Sequence, residues 1–383
     1  MINQIPFKVV IQRGGTSKGI FIKEGELPSD EALRAKAIRG IFGTPDRREI
    51  DGLGGADVLT SKLAIIGPSS RDDCDVDYTF AQVSYDSEVI DYGGNCGNIS
   101  AGVGPFVIDE GLVKAVEPIT EVRIHQVNTN CVLIARVPVK DGKACVEGNY
   151  HIDGVPGTGA KIMLDFFDTL GTTTGNVLPT GNPIDKIDVE GYGLFEISIV
   201  DAGNVLIFID AEALGLKGTE TCSEIEADRK LCDKIEAIRS TATVLCGMAE
   251  TREEATAHPY VPFFAIISKP ADYVCEADQR KVKAEEIDIV SRLIFMLHMH
   301  KTYPGTGTVC TGAAARIPET IVNRILSDNA KADEVLRIGH PGGIISVEAI
   351  TEDAGKSFKH LAYARTSRRI MEGTCYVQKS KLK

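Results

Sequence analysis

Gly93-Gly94-Asn95-Cys96-Gly97-Asn98-Ile99-Ser100-Ala101 reads as a glycine-rich turn that opens a helix of small residues. A second stretch, Thr308-Val309-Cys310-Thr311-Gly312-Ala313-Ala314-Ala315, repeats the theme, with 214 residues from Cys96 to Cys310. Both place a cysteine where a glycine-rich turn is expected to become a helix, the mark an internal duplication leaves. The fold reading therefore starts from two similar halves.

Around these stretches, short β-rich segments alternate with amphipathic helices, the pattern of a mixed α/β (α+β) protein. Phe7–Gln12 and Gly19–Lys23 are expected strands flanking a tight turn at Arg13-Gly14-Gly15-Thr16-Ser17-Lys18. Ser29, after Pro28, is the expected cap of a helix over Asp30–Phe42. Further strands are expected at Lys62–Ile66, Asp77–Tyr85, Glu121–Gln126, Cys131–Val139, Phe195–Val200, Val205–Ile209, Tyr260–Ser268 and Gly343–Glu348, with a long helix over Cys222–Arg239. Ile287–His298 is apolar and fits helix or strand. Leu178-Pro179-Thr180-Gly181-Asn182-Pro183 is dense in turn residues, so the expected domains are 1–183 and 184–383.

Composition narrows the function. The chain has 383 residues, 43% hydrophobic and 25% charged, and a net charge of −12 from 42 Lys and Arg against 54 Asp and Glu. So acidic a balance argues against nucleic acid and anionic lipid as partners. No run reaches the length of a membrane span, and Met1–Lys8 has no apolar signal region. The expectation is a cytoplasmic chain whose ten cysteines stay reduced. With no CxxC and no HExxH, no metal centre is expected. Gly52-Leu53-Gly54-Gly55-Ala56-Asp57 has Asp where a dinucleotide fingerprint needs its third glycine, and Gly154–Lys161 lacks the ending of a phosphate loop. No cofactor is implied.

Cys96 is the leading candidate for chemistry. A thiol at a helix start faces unpaired N–H groups and the positive end of the helix dipole, an environment that favours thiolate. Gly94 and Gly97 beside it let a ligand reach both sulfur and backbone amides. Lys62 opens an apolar strand behind a glycine turn. Such a lysine either snorkels to solvent or, in a cleft, anchors an anion or carries a proton. The Arg13–Lys18 turn offers amides, hydroxyls and cations that suit a carboxylate, or is an exposed hairpin tip. His300 reads as an acid or substrate ligand, or as an exposed element end. Cys310 shares the helix-start argument with Cys96.

The set Arg13–Gly19, Gly54-Gly55-Ala56-Asp57 to Ser61-Lys62, Gly93–Asn98, Asn128-Thr129, Asp153–Gly159, Leu178–Asn182, Ala314–Pro318 and Met371-Glu372-Gly373 resembles the PrpF family over nearly the whole chain. The resemblance implies the diaminopimelate epimerase fold, two topologically similar domains facing across a cleft, with the last strand, about 371–378, returning to the first domain. It also implies a cofactor-independent delta-isomerase that moves a proton within a small unsaturated dicarboxylate, such as 3-methylitaconate to 2,3-dimethylmaleate. Methylaconitate and oxalomesaconate are the related substrates, and a homo-oligomer is expected by analogy. The family's active-site Ser, Lys, Cys and His fall on Ser17, Lys62, Cys96 and His300. In that reading Cys96 is base and acid and Lys62 an electrostatic stabiliser. Thr16, Ser17, Gly97, Asn98, His300 and Cys310 would contact substrate. A two-cysteine amino-acid epimerase, a cysteine hydrolase and a non-catalytic carboxylate binder are the competing readings.

Overall fold

The computed structural model describes residues 3–353 and 355–383. The chain forms two compact units, residues 1–164 with 364–383, and residues 165–363.

In the first unit, β1 (Gln4–Gly14) and β2 (Ser17–Lys23) form an antiparallel hairpin. Helix α1 (Glu31–Phe42) crosses over to β3 (Lys62–Pro68), parallel to β2. β4 (Val76–Val83) runs antiparallel to β3, and β5 (Ile90–Asp91) pairs with the end of β4. Helix α2 (Gly97–Asp109) then leads to β6 (Ile119–Gln126), parallel to β4, and β7 (Cys131–Lys140) closes a second hairpin. The C-terminal strand Ser367–Gln378 returns to pair with β1 along its length.

The second unit repeats this order after an added strand β8 (Asp185–Val189). β9 (Gly193–Ala202) and β10 (Asn204–Asp210) make the hairpin, and helices α3 (Cys222–Ala227) and α4 (Arg229–Leu245) lead to β11 (Phe263–Ser268), parallel to β10. β12 (Ile289–Phe295) is antiparallel to β11, and the two-residue β13 (His298–Met299) folds back on it. Helix α5 (Gly305–Arg316) precedes β14 (Val335–His340), parallel to β12, and β15 (Gly343–Thr351) pairs with β14. Hairpin, parallel crossover, antiparallel turn, short strand, buried helix, parallel crossover and hairpin recur in the same sequence, so the duplicated topology is present.

Helices α2 and α5 hold the key position. Every residue from Gly97 to Ile108 and all of α5 is buried. Small residues make this possible. A Cβ on Gly102 would lie 2.5 Å from the Phe21 ring, and one on Gly104 would lie 2.7 Å from Val137. On the other face of the sheet, α1 packs Ile38, Ile41 and Phe42 against Phe7, Ile20, Ile22, Leu63 and Ile65. β3 is covered on both sides, which is why Lys62–Gly67 are all buried instead of alternating.

Several local expectations are corrected. Asp30, not Ser29, caps α1, its carboxylate accepting from Leu33 N at 2.8 Å. The helix expected over Cys222–Arg239 is two helices, because Asp228 caps a new one by accepting from Leu231 N. Ile287–His298 resolves into strands β12 and β13. The turn-dense Leu178–Pro183 lies inside the second unit: Thr180 and Asn182 hydrogen-bond to Asp185, and Val177 O accepts from Asp201 N. Turn residues mark chain reversal here, with the division between units at 164/165.

Charges fix the far end of α2. Glu110, at its C-cap, accepts from Lys23 Nζ at 2.7 Å and from Arg369 Nη2 at 2.8 Å. Burial raises the Glu110 carboxyl, but hydrogen bonds from Lys23 and Arg369 outweigh it and leave the pKa lowered. A lowered folded pKa gives stability that is present above the unfolded carboxylate range and lost as pH falls through the folded value. Glu110→Gln is therefore expected to cost about 1 kcal/mol at neutral pH and little in acid, read from denaturant melts. An equal cost at both ends of that range would remove the electrostatic explanation. No helix of the described residues is long and apolar enough to cross a membrane.

Candidate functional site

The hairpin tip sits on the first turn of α2. Gly14 pairs with Ser17, leaving a two-residue Gly15-Thr16 turn with Gly15 at φ +50°. A Cβ on Gly14 would stand 2.3 Å from Asn98 O, and one on Gly15 would stand 2.2 Å from Asn98 Oδ1. Only glycine allows this approach, and it places Thr16 and Ser17 beside the helix start. Asn98 Oδ1 accepts from Arg365 Nε at 2.9 Å and from Thr16 N at 3.4 Å. Arg365 is buried, and its Nη1 also donates to Ala364 O.

Thr16 Oγ1 and Ser17 Oγ are buried and have no hydrogen-bond partner among the described residues. Ser17 is 2% exposed. Burying a hydroxyl unpaired costs about 1–3 kcal/mol, a cost that a bound anion accepting both O–H groups would remove.

Cys96 is the N-cap residue of α2, in extended conformation at φ −109° and ψ 99°. Its side chain makes no capping hydrogen bond, so the sulfur is free while the helix start lacks a side-chain acceptor. Ser100 fixes the cap by donating from both N and Oγ to forms of local acceptor: N to Cys96 O at 2.9 Å, and Oγ to Cys96 O and Asn95 Oδ1 at 3.0 Å each. The thiol is half-buried, and the backbone carrying it is fixed.

Lys62 is the first residue of β3, paired with Gly19 on one side and Gln82 on the other. It is only 8% exposed. Its Nζ donates to Gln82 Oε1 at 2.7 Å and lies 5.4 Å from the centre of the Phe80 ring. Gln82 pairs in turn with Asp91, five residues before Cys96. Asn128 ties the connecting loop down: its Nδ2 donates to Phe80 O and Tyr92 O, and its Oδ1 accepts from Phe80 N. Thr16, Ser17, Lys62, Cys96, Gly97 and Asn98 thus all belong to the first unit, held by the hairpin, β3 and the start of α2.

The other two expected residues belong to the second unit. His300 follows β13, its N donating to Leu293 O. Its Nδ1 accepts from Thr302 N at 3.2 Å, which puts the proton of the neutral ring on Nε2. Cys310 does not start a helix: α5 begins five residues earlier at Gly305, behind Pro304 as N-cap. Cys310 is 0% exposed and donates to Val200 O at 3.2 Å. Burial, followed by the nearby Asp201, pushes its thiol well above the ordinary range. The position that matches Cys96 in the repeat is Pro304.

Sequence reasoning missed Gln82 and Arg365, and quoted Asn128 without a role. Among the described residues, no group of three or more His, Cys, Asp or Glu is arranged to hold a metal ion.

The profile of the family described as PrpF protein matches residues 4–378. The 3-methylitaconate isomerase of Eubacterium barkeri is 54% identical over 383 residues, the full length of both chains. The 2-methyl-aconitate isomerase of Shewanella oneidensis is 35% identical, over 98% of each chain. A crystal structure of methylitaconate-delta-isomerase superposes with a TM-score of 0.88 at 54% identity, over 99% of this chain and 97% of that one. A hydroxyproline epimerase from Agrobacterium vitis shares the fold at a TM-score of 0.55 and 11% identity, over 99% and 94%. The fold is thus shared with an epimerase, in line with the diaminopimelate epimerase fold that the resemblance implied, and the chain belongs to the PrpF family.

Proposed function

We propose that the protein is a cofactor-independent isomerase that shifts the double bond of a small unsaturated dicarboxylate, with 3-methylitaconate to 2,3-dimethylmaleate as its reaction. One observation carries the reading. An uncapped helix start bearing a free thiol shares a unit with a buried lysine and two buried, unpartnered hydroxyls. That combination suits an anion that must lose a weakly acidic proton.

The chemistry is a proton moved along three carbons. Cys96 thiolate takes the proton from C3, the C3–H electron pair becomes the new C2=C3 bond, and the old double-bond pair accepts the proton at the methylene carbon. Substrate and product have the same formula, and the thiolate is regenerated. Both carbons must present one face to the sulfur, which makes positioning as important as basicity. Lys62 neutralises charge that grows on the carboxylate next to C3. Ser17, Thr16 and the amides of Gly97 and Asn98 hold a carboxylate.

A two-base epimerase would need a second accessible acid, and Cys310, sealed in the core against Val200 O, does not offer one. Proton NMR of the purified protein with 3-methylitaconate in D2O tests the reading. The expected result is loss of the methylene and C3–H signals with growth of new methyl signals, deuterium entering the new methyl group only to the extent that the Cys96 thiol exchanges with solvent before it returns the proton. Methylaconitate and oxalomesaconate in parallel rank the substrates. Exchange at one stereocentre with the double bond unmoved would favour epimerase chemistry. Thermal stabilisation by the ligand without any spectral change would leave a carboxylate-binding protein.

A further inference from the structure

We infer that Gln82 is the positioning residue of Lys62, and that its neutrality keeps the ammonium charge available to a substrate carboxylate. This deepens the isomerase reading and rests on it.

Lys62 and Gln82 face each other across the antiparallel β3–β4 pair, where opposed side chains meet directly. The amide is oriented as well as near. Gln82 Nε2 donates to Ser61 O at 2.9 Å, which turns Oε1 toward the ammonium at 2.7 Å. Phe80, two residues earlier on the same strand face, gives Nζ a ring 5.4 Å away. Two contacts therefore aim a long, flexible side chain that would otherwise sample many rotamers.

The charge balance around Nζ is what makes an amide the informative choice. Among the described residues Lys62 has no ion-pair partner; its contacts are the Gln82 oxygen and the Phe80 ring. The carboxylates near it along the chain or across the sheet each have one oxygen bonded to another group, Asp57 Oδ1 accepting from Leu59 N at 2.8 Å. Glu49 accepts from Ser61 Oγ and Ala56 N at 2.6 Å each. Asp91, opposite Gln82 on β5, accepts from Gly93 N at 2.7 Å. From β2, Lys62 faces only Gly19. A carboxylate in place of Gln82 would hold the ammonium equally well but would cancel its charge. An apolar residue would leave the ammonium without the oxygen that aims it. A neutral carbonyl oxygen does neither.

The test is kcat and KM of the parent, Gln82→Glu and Gln82→Met across pH, with melting temperature measured on each. In Gln82→Glu, kcat is expected to fall about 10²-fold near about pH 8, with KM changed less, because the new carboxylate pairs with Lys62. As pH falls toward the carboxyl range the glutamic acid becomes a neutral acceptor, so activity returns relative to the parent. That acidic recovery is a signature a structural role would not give. Gln82→Met is expected to lower kcat about tenfold while keeping the shape of the parent pH profile. The inference falls if Gln82→Glu has the parent's rate and profile. It also falls if both variants lose activity equally at every pH together with melting temperature. A parent that isomerises none of the dicarboxylates overturns the isomerase reading and this inference with it, an outcome visible in the parent alone.

Discussion

Cys96→Ala is expected to lower kcat by about 10⁴-fold, the full contribution of a positioned acid–base group, while leaving the fold intact. Cys96 holds its sulfur at the end of a buried helix, and that sulfur caps nothing, so removing it costs the helix no hydrogen bond. Cys96→Ser sharpens the test. Serine is a preferred N-cap, and its hydroxyl would accept from an amide in the first turn, stabilising the protein by about 0.5–1 kcal/mol. The same substitution replaces the base by a far weaker one. A variant that melts higher and turns over about 10⁴-fold more slowly separates the cap from the chemistry. Near-parent turnover by Cys96→Ala in a single-turnover experiment would falsify the one-base mechanism.

The second large effect belongs to Lys62. Lys62→Met leaves an unbranched side chain one atom shorter beside Phe80 and removes the charge and its donors. The expected loss is about 10²–10³-fold in kcat, comparable to loss of an oxyanion-hole donor. KM should move less, because charge on the carboxylate beside C3 grows as the proton leaves and is greatest in the transition state. A change confined to KM would make Lys62 a carboxylate anchor with no special role in the proton transfer. An unchanged kcat with lost stability would make it a structural residue.

The parts of this site that were legible in the sequence are those written in adjacent residues. Glycines next to β-branched runs located the hairpin tip, and the Gly94–Ser100 stretch located the cap that carries Cys96. Cys310 was misplaced because glycine serves two purposes. Before Cys96 it makes a turn, whereas Gly305 and Gly307 already lie within α5, whose start is fixed by Pro304. Contacts across the fold left no local trace. Gln82 is 20 residues from Lys62, and Arg365 is 267 residues from Asn98. Nothing in Phe80-Ala81-Gln82-Val83 marks an amide that aims an ammonium until the register of two strands is known. The topological repeat was foreshadowed, but through a pair of cysteines that the duplication does not relate.

The glycines along α2 bear on how this enzyme would respond to laboratory evolution. Gly102 and Gly104 touch Phe21 and Val137 deep in the unit, well along the helix from the thiol. A methyl group at either would push the rod away from the strand that faces it, and a packed helix shifts as one body. Substitutions there are expected to surface in a screen as lost turnover, although the two glycines lie six and eight positions along the helix from Cys96. A library aimed at new substrates should therefore spare this rod.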